Sequence, residues 1–378
     1  MLLTVTLGCL AVVSCLLSFW QWLVARRFPL HKRGPVPPSS QAVTLLKPLK
    51  GCDETTEACL RSWFEQEYNG PVQLLFGVAS AQDPVCEVVR KLMEEYPGQD
   101  AHLILCDPLA GTNLKVAKLA LLEARATAEL LVISDADVKV PPDLLVNVVA
   151  PLVQPEVGLV HCFYRLANPV SSAMRWEAVA INADFWSQVL QSRSLKPLDF
   201  ALGAVMATRR TWLSKTGGFA ALADCLADDY QLGNRIAKRG GKIVICPVVV
   251  ECWSAPMTFC QVWNHQLRWA RTIRVSQPWP YFLSILSNAT VWPLLWLALQ
   301  PGWLSGALAL WCLGWRMWVA RDLQERLTER TPKPSLAVFA ILKDLLQAGI
   351  WVMALLGNRI EWRGERLRLR RDGTLVKT

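Results

Sequence analysis

Residues 42–255 alternate short apolar runs with segments of helical periodicity, and this alternation restricts the fold more than any other feature of the chain. Strand–helix alternation is typical of a mostly parallel sheet covered by helices on both faces. Six runs are predicted as strands: Val43–Leu46, Val72–Val78, Leu103–Cys106, Leu130–Ile133, Gly158–Phe163 and Ile243–Val249. Four segments are predicted as helices: Thr55–Glu67, Pro84–Tyr96, Leu114–Ala124 and Tyr230–Lys238. In such an α/β domain, ligands bind at the carboxyl ends of the strands.

An apolar segment precedes this α/β domain. Residues 3–24 are almost uncharged and long enough to cross a bilayer at about 1.5 Å per residue. A cleavable signal peptide is the alternative, but no basic stretch precedes the run, and a basic cluster at 26–33 follows it. By the positive-inside rule, that basic cluster stays in the cytoplasm. We therefore predict a membrane anchor with the α/β domain on the cytoplasmic side.

Further apolar segments follow the α/β domain. Residues 281–300 and 302–320 are predicted as two membrane spans. A third stretch, 335–357, carries Lys343 and Asp344 at its centre, and a charge at mid-bilayer costs at least about 2.5 kcal/mol. We predict that this stretch is re-entrant or interfacial, and that the basic tail after it is cytoplasmic. Alternation over residues 359–369 predicts a terminal hairpin around Arg363-Gly364.

The predicted organisation has five parts. They are a transmembrane anchor (1–25), a basic Pro-rich linker (26–41), a catalytic domain (42–278), membrane helices (279–357) and a basic cytoplasmic tail (358–378). A helix predicted over 172–193 either faces the core or lies at the membrane near the entrance for a substrate.

The chain has 18 Trp, clustered late in the sequence, and a net charge of +9. Much of the excess charge lies beside apolar segments, which indicates an anionic membrane surface as partner. Basic residues do not cluster on one soluble face, so no nucleic-acid binding is expected. The 12 Cys are scattered without the short CxxC spacing of a zinc site. They predict reduced thiols rather than a disulfide framework.

The strongest local motif is the predicted strand Leu130–Ile133, which runs through Ser134 into Asp135 and Asp137. Alternate strand positions point the same way, so the two carboxylates can converge on one cation. Hard oxygen ligands suit Mg²⁺ or Mn²⁺, which bridge phosphate oxygens and offset charge as a diphosphate leaves. An ordinary turn at a strand end is the alternative.

Asp228 and Asp229 lie immediately before a predicted helix. A helix needs only one side chain at its N-cap, so one of two adjacent carboxylates is spare. A spare carboxylate that faces a cleft can act as a general base on a hydroxyl.

Three further segments contain side chains suited to a nucleotide. Gly-Thr-Asn-Leu-Lys at 111–115 joins a strand to a helix, where a Gly turn, an amide and a Lys can receive a phosphate. His-Gln-Leu-Arg-Trp at 265–269 precedes the late apolar segments, and Arg forks match phosphate oxygens. A juxtamembrane anchor is the alternative for this segment. Asp83 follows the second strand, where capping of the next helix is the alternative.

The order of these pieces along the chain resembles the ceramide glucosyltransferase family (glycosyltransferase family 21) and, more widely, the inverting GT-A transferases. The resemblance covers nearly the whole chain, including the N-terminal anchor, Leu-Lys-Pro-Leu-Lys-Gly at 46–51 and the C-terminal membrane segments. It implies a GT-A-like nucleotide-sugar-binding domain with a mostly parallel sheet, a UDP-sugar donor, a Mg²⁺ or Mn²⁺ ion and a membrane lipid acceptor.

The resemblance also implies roles for individual residues. Donor-binding positions are Asp83, Gly111, Asn113, Lys115, Asp135, Asp137 and His265, with Asp135 and Asp137 as metal ligands. Catalytic positions are Asp229 as the base, with Arg268 and Trp269 as the end of a (Gln/Arg)-x-x-Arg-Trp motif. Two positions depart from the family pattern. His265 stands where the motif has Gln or Arg, and Ser80 stands where some relatives have an additional Asp.

The implied activity is inverting transfer of a hexose, glucose first, to a hydroxyl of a ceramide-type lipid, at the inner membrane of a bacterium. One alternative is N-acetylglucosamine transfer to a hopanoid polyol such as bacteriohopanetetrol. A processive polysaccharide synthase is a second, although it needs enough membrane helices to form a polymer channel. A third is a non-enzymatic membrane scaffold or lipid carrier, which does not need convergence of Asp135, Asp137, Asp229 and Arg268.

Overall fold

The computed structural model describes residues 2–33, 41–107, 111–332, 337–362 and 365–377. Residues 34–40 of the predicted Pro-rich linker and the predicted turn at Arg363-Gly364 lie outside these residues. The strands are β1 (Val43–Pro48), β2 (Val72–Val78), β3 (Asp100–Leu105), β4 (Leu130–Ser134), β5 (Val138–Lys139), β6 (Val157–Leu166), β7 (Val205–Arg209), β8 (Lys242–Cys252), β9 (Arg359–Trp362), β10 (Glu365–Leu369) and β11 (Leu375–Lys377).

The α-helices are α1 (Leu2–Arg27), α2 (Thr56–Phe64), α3 (Val85–Glu95), α4 (Leu114–Arg125), α5 (Leu144–Val149), α6 (Ser172–Val179), α7 (Trp186–Leu195), α8 (Arg210–Lys215), α9 (Asp228–Lys238), α10 (Phe259–Ser276), α11 (Pro278–Leu283), α12 (Val291–Leu299), α13 (Trp303–Thr328) and α14 (Val338–Leu355). A π-helix at Ala180–Phe185 joins α6 to α7, and short 3₁₀ turns lie at Ala150–Val153, Phe219–Leu222 and Ser284–Ser287.

The main sheet has eight strands in the order β3-β2-β1-β4-β7-β6-β8-β5. Strands β3, β2, β1 and β4 are parallel neighbours, and β6 pairs in parallel with β8. Strand β7 is antiparallel to both β4 and β6, which makes β6 parallel to β4. The predicted α/β class with a mostly parallel sheet is therefore confirmed. The carboxyl ends of β1, β2, β4, β6 and β8 consequently lie along one edge.

All six predicted strands and all four predicted helices are present, with ends that differ by a few residues. Strands β5 and β7 were not predicted. Strand β5 has only two residues, and β7 reads Val-Met-Ala-Thr-Arg, whose central Met-Ala pair carries no strand preference. Strand β7 is specified instead by its pairing with both neighbours.

Hydrophobic cores cover both faces of the main sheet. Consecutive residues of β1 point to opposite faces, so Leu46 joins one core and Leu45 the other. The first core includes Val116 of α4 and Ile236 of α9, and the second includes Leu60 of α2. This packing fixes the helices whose first turns supply polar side chains at the sheet edge.

The helix predicted over 172–193 is observed as α6, the π-helix and α7. Trp176 and Trp186 are fully buried, which supports the core-facing interpretation for these two side chains. The same segment also packs against α1 and α13. It therefore lies between the sheet and the apolar helices.

Two described helices, α1 and α14, are long and apolar enough to cross a membrane by length and composition. The predicted span at 281–300 is not one continuous helix, because the segment Pro278–Ser287 and α12 meet at a 55° bend, as a broken span or a re-entrant loop. Helix α13 extends eight residues beyond the predicted span, to Thr328, and does not meet the same criteria of length and composition. Helix α14, expected to be re-entrant or interfacial, does meet them. Whether α14 crosses a bilayer stays a prediction to be tested.

The two charges of α14 lie in a buried ion-pair network. Arg316 of α13 lies 2.8 Å from Asp344 and 2.7 Å from Asp184 of the π-helix. Lys343 lies 2.5 Å from the same Asp184 and 3.0 Å from Asp344. The Thr290 hydroxyl donates to Asp344 at 2.7 Å. Two positive and two negative charges balance one another, which offsets much of the cost of burying them.

The C-terminal residues form a separate three-stranded antiparallel sheet, β9–β11, so the predicted hairpin over 359–369 is confirmed. Its apolar face, with Leu367 and Leu375, packs on Leu226. Leu226 N also donates to Gly373 O at 3.2 Å, and Leu375 N donates to Asp224 O at 2.8 Å. The tail is therefore docked beside the start of α9.

Candidate active site

Asp135 and Asp137 follow β4 at the edge where the parallel strands end. Strand β4 is buried along its whole length, and it carries the chain directly to Asp135. Asp135 N donates to Ala204 O, which joins the loop after β4 to the loop before β7. Trp253 N donates to Asp137 O, which joins the same loop to the segment after β8. Asp135 is half-buried and Asp137 is exposed, so both residues are accessible from solvent.

Lys115 connects the Asp135 loop to the start of α9. Its ammonium lies 2.7 Å from Asp135 Oδ1 and 3.0 Å from Asp228 Oδ2. Burial alone would lower the pKa of Lys115, but Asp135 and Asp228 raise it above its usual value. Lys115 is therefore a permanent cation that holds two carboxylates from distant parts of the chain.

Asp229 lies next to this cluster, in the first turn of α9. Its Oδ1 accepts a hydrogen bond from Tyr230 N at 2.7 Å. Burial, followed by the charge of Asp228, raises the pKa of Asp229 to about 7. A Cβ at Gly203 would lie only 2.9 Å from Asp229 Oδ2, so the absent side chain leaves room for this carboxylate. Asp229 is consequently poised to exchange a proton near neutral pH.

Neither aspartate of this pair is at the N-cap of α9. The N-cap is Ala227, without a side-chain hydrogen bond, and the helix begins at Asp228. The expectation that one of the two serves as the N-cap is therefore wrong. Both lie instead in the positively polarised first turn, which stabilises negative charge.

Lys47 was not among the predicted site residues, yet it holds the Asp135 loop in place through hydrogen bonds from the adjacent strand β1. Its ammonium donates to Asp135 O at 2.6 Å and to Ser134 Oγ at 3.3 Å. Complete burial lowers the pKa of Lys47 to about 8. Partial desolvation by the surrounding protein atoms, followed by the charge of Asp135, raises the pKa of Asp137 to about 6. A lysine inside an otherwise apolar strand is a signal that sequence reasoning could have used.

The 111–115 segment is tied to the 223–225 loop. Gly111 has φ +96°, and a Cβ there would lie 2.6 Å from the Ala223 Cβ. Asn113 is buried and caps α4, since its Oδ1 accepts from Lys115 N while its Nδ2 donates to Cys225 O at 2.7 Å. Both polar ends of the amide are engaged, so Asn113 and Gly111 act on the site by positioning Lys115.

Asp83 lies after β2, on the same edge of the sheet. Its carboxylate accepts hydrogen bonds from Gly51 N at 3.0 and 3.1 Å and from Val85 N at 3.1 Å. Asp83 thus joins the loop after β1 to the start of α3. The N-cap of α3 is Pro84 rather than Asp83, although the Asp83 carboxylate satisfies the first amide of the helix at Val85. A role of Asp83 in donor binding stays a prediction.

The 265–269 segment lies on α10, which contacts the sheet through Trp269. The edge of the Trp269 ring packs against Tyr164 of β6, with centroids 6.4 Å apart. Burial raises the pKa of Tyr164, and the charges of Asp229 and Asp135 raise it further, which puts its hydroxyl within their electrostatic reach. Trp269 therefore forms one wall beside the cluster.

Arg268 and His265 have other neighbours. The Arg268 guanidinium lies 6.0 Å from the centre of the Trp362 ring, in the C-terminal sheet. His265 Nδ1 lies 2.6 Å from Glu177 Oε1, on α6. The structure thus brings together Asp135, Asp137, Lys115 and Asp229. The predicted convergence of Arg268 and His265 on the same point stays a prediction.

The site has the chemistry of a two-carboxylate metal site completed by substrate. In the described part of the chain, no group of three or more His, Cys, Asp or Glu could hold a metal ion. Asp135 and Asp137 offer hard oxygen ligands, and Mg²⁺ commonly binds one or two carboxylates plus substrate phosphates. The site contains four carboxylates and two ammonium groups, so its formal net charge is minus two. The carboxylates belong to Asp135, Asp137, Asp228 and Asp229, and the ammonium groups to Lys47 and Lys115. The residues therefore fit a divalent cation.

All 12 cysteines are free thiols, as predicted. Four of them, Cys9, Cys52, Cys252 and Cys260, are not fully buried. Burial raises the pKa of Cys252, which keeps this thiol in its neutral form beside the carboxylates.

Similarities to known proteins agree with this geometry. The chain is 23% identical over 364 residues to ceramide glucosyltransferase 1 of Caenorhabditis elegans, over 92% of this chain and 76% of the relative. It is 35% identical over 114 residues to the ceramide glucosyltransferase of Komagataella phaffii, over 29% of this chain and 22% of the relative. Its fold is similar to that of a mannosyltransferase from Pyrobaculum calidifontis solved with GDP-Man and Mn²⁺. That match has a TM-score of 0.56 and 20% identity, over 90% of this chain and 97% of the other.

The similarity in fold confirms the predicted GT-A-like architecture. The family model of glycosyl transferase family 21 matches residues 6–375, which is nearly the whole chain. The chain is therefore a glycosyltransferase and belongs to glycosyl transferase family 21.

Proposed function

We propose that this enzyme transfers a hexose, glucose as first choice, from a UDP-sugar to a hydroxyl of a ceramide-type membrane lipid, with inversion at the anomeric carbon. The observation that carries the proposal is the position of Asp229, a carboxylate of pKa about 7 beside the Lys115–Asp135–Asp228 cluster. The names of the curated relatives support the lipid acceptor and the glucosyl group.

The donor lies over the carboxyl ends of the strands, with its diphosphate at the Asp135 loop. Asp135 and Asp137 would hold Mg²⁺ or Mn²⁺, and the cation would supply positive charge against the leaving diphosphate. Lys115 is buried and permanently charged, so it adds a fixed positive charge at the same point. Fixed charges in a partly dehydrated site stabilise a developing charge without reorganisation.

Asp229 takes the proton of the attacking lipid hydroxyl. The hydroxyl oxygen forms a bond to the anomeric carbon as the bond from that carbon to the diphosphate breaks. One displacement inverts the configuration, so an α-linked donor gives a β-glycoside. A base with a pKa near the working pH is available in its ionised form and still accepts a proton effectively.

Arg268 and Trp269 complete the site from α10. Arg268 carries a charge that pairs with the phosphates of the departing UDP, and a planar guanidinium matches phosphate oxygens. Trp269 and Tyr164 form an aromatic wall between α10 and the carboxylates, which supports a position for the sugar or the acceptor there.

The acceptor reaches the site from the bilayer. Helices α1 and α14 are apolar enough to cross a membrane, and the α6–α7 segment lies between the apolar helices and the sheet. The basic residues at 26–33 support a catalytic domain that faces the cytoplasm. We propose a multi-pass protein of the bacterial inner membrane.

A labelling assay tests the function and its substrates together. Membranes that contain the enzyme are incubated with radiolabelled UDP-glucose or UDP-N-acetylglucosamine, with ceramide or bacteriohopanetetrol supplied, and labelled lipids are identified. We expect labelled glucosylceramide that requires Mg²⁺ or Mn²⁺. Labelled hopanoid would overturn the acceptor assignment, and a labelled polymer would overturn single transfer. No labelled product from either donor would refute the proposed activity.

A further inference from the structure

A buried carboxylate–histidine pair lies beside the site: it joins His265, which the family resemblance places among the donor-binding positions, to Glu177, which has been given no role so far. Glu177 of α6 is 1% exposed, and its Oε1 lies 2.6 Å from His265 Nδ1. The same Oε1 accepts a hydrogen bond from Gln266 Nε2 at 2.9 Å. Burying a carboxylate is costly, and its Oε2 has no hydrogen-bond partner among the described residues. A purely structural contact with Gln266 would not need that charge.

The pair fixes the tautomer of His265. Because Oε1 already accepts from an amide, the proton between it and the imidazole resides on Nδ1, which donates. The other ring nitrogen, Nε2, is then a hydrogen-bond acceptor whenever the ring is neutral. The side chain is 29% exposed, and Nε2 has no protein partner within the part of the chain that the structure describes. His265 Nε2 is therefore a hydrogen-bond acceptor that is held in one orientation and is accessible to a ligand.

Two contacts place His265 between the carboxylate cluster and the apolar helices. The His265 ring packs at 4.8 Å on Trp269, which in turn contacts Tyr164 beside the carboxylates. On its other side, α6 and α10 pack against the apolar helix α14 through a shared cluster that includes Trp176 and Ile350. His265 thus lies between the base and a candidate membrane span.

We propose that Glu177 holds His265 so that Nε2 binds a second hydrogen-bond donor of the lipid acceptor, next to the hydroxyl that is glycosylated. The inference rests on the proposed transfer to a lipid and deepens it. It selects acceptors that carry an O–H or N–H group beside the reacting hydroxyl, over simple alcohols. Glu177 is a positioning residue in this account, since it acts through His265.

The test is the ratio of kcat/KM for a short-chain ceramide to kcat/KM for 1-hexadecanol, which has one hydroxyl and no second donor. In His265→Asn the amide takes the place of Nδ1 and keeps the bond to Glu177, while Nε2 is lost. We expect this ratio to fall by about tenfold, the scale of one hydrogen bond. In the matched variant His265→Gln, the amide oxygen reaches the Nε2 position, and we expect the ratio to stay within about threefold of wild type.

Glu177→Leu provides a second variant should His265→Asn not yield folded protein; it removes the acceptor of His265 Nδ1–H, so we expect the same fall in the ratio. A ratio unchanged in His265→Asn or in folded Glu177→Leu would overturn the inference. A raised KM for UDP-glucose with an intact ratio would also overturn it, in favour of a donor-side role. No transfer by the wild-type enzyme to any lipid would instead refute the proposed function itself.

Discussion

At the scale of single residues, the site depends on how four carboxylates are kept close together. Lys115 neutralises Asp135 and Asp228 directly, at 2.7 and 3.0 Å. Lys47 supports the same loop through the backbone oxygen of Asp135. The charge that remains is concentrated near Asp137 and Asp229, whose pKa values rise to about 6 and 7. This arrangement supports the proposed divalent cation and the proposed role of Asp229 as the base.

Lys115→Met should remove the central cation and leave two carboxylates in a buried position without their partner. We expect transfer to fall at least about 100-fold, as is typical when one electrostatic contact of the transition state is lost. Lys118→Met is the matched control, because Lys118 lies one turn later on α4 and donates to Leu49 O. Steady-state transfer by both folded variants is the measurement, and equal losses would contradict a specific role for Lys115.

The pKa of Asp229 predicts the acidic limb of the pH–rate profile. Its pKa is raised, so the ionised base is lost as pH falls through about 7, and kcat should fall tenfold per pH unit below that value. The same shift affects stability with the opposite sign. The folded state holds a proton that the unfolded chain releases above its ordinary pKa, so stability falls as pH rises from about 4 to about 7.

Asp229→Asn removes that titration. We therefore expect its thermal midpoint to exceed that of the wild type by a margin that widens between pH 4 and pH 7 and then stays constant. A margin that is independent of pH in thermal unfolding experiments would show that Asp229 has an ordinary pKa.

At the scale of secondary-structure elements, the C-terminal sheet connects separate parts of the site. Strands β9–β11 bind the loop at 224–226 through backbone hydrogen bonds. Arg271 and Arg274 of α10 donate to the backbone of Arg359 and to Asn358. Trp362 contacts Arg268 on the same helix. The C-terminal sheet thus fixes the loop before α9 relative to α10, the helix that carries Arg268.

Trp362→Ala should free Arg268 from its aromatic neighbour without touching the carboxylates. We expect kcat/KM for the UDP-sugar to fall by about tenfold, since a cation–π contact contributes roughly 1–2 kcal/mol in a partly desolvated position. Trp362→Phe keeps a ring and should lose less. Kinetics with varied UDP-sugar give the comparison, and equal values for the two variants would argue against this contact.

Sequence patterns anticipated the elements that depend on local periodicity and missed those that depend on distant partners. The Asp135–Asp137 pair was visible because β4 is an uninterrupted apolar run that ends in charge. Glu177 was not predicted, since a single carboxylate in a helical sequence is normally expected to be solvated. Its role depends on α10, which places His265 against it. The bend between α11 and α12 was also missed, because hydropathy over 281–300 is continuous whereas the backbone is not.

At the scale of the whole molecule, a buried ion network fastens the apolar helices to the catalytic domain. Asp184 belongs to the π-helix beside the sheet, while Arg316, Lys343 and Asp344 belong to α13 and α14. All four side chains are at least nine-tenths buried. From hydropathy alone, the charges of Lys343 and Asp344 disfavour insertion of α14 into a membrane. In the structure, their ion pairs with Arg316 and Asp184 connect α14 to α13 and to the π-helix.

Asp344→Asn should leave two buried cations with one carboxylate. We expect a loss of about 3–5 kcal/mol in stability, typical when one partner of a buried pair is removed. The double variant Lys343→Met/Asp344→Leu removes one charge of each sign and should lose less. Thermal unfolding in detergent provides the comparison, and a double variant that is less stable than the single one would show that the network acts other than by charge balance.

The central claim is that Asp229 is the base of sugar transfer from a nucleotide donor at the rim of the sheet. It is tested most directly by the rate of radiolabelled glucose transfer to lipid in Asp229→Asn, at saturating UDP-glucose and acceptor, relative to wild type. We predict a loss of at least about 100-fold, the scale of general base catalysis, with UDP binding retained. Turnover close to that of the wild type in a folded Asp229→Asn enzyme would contradict the account.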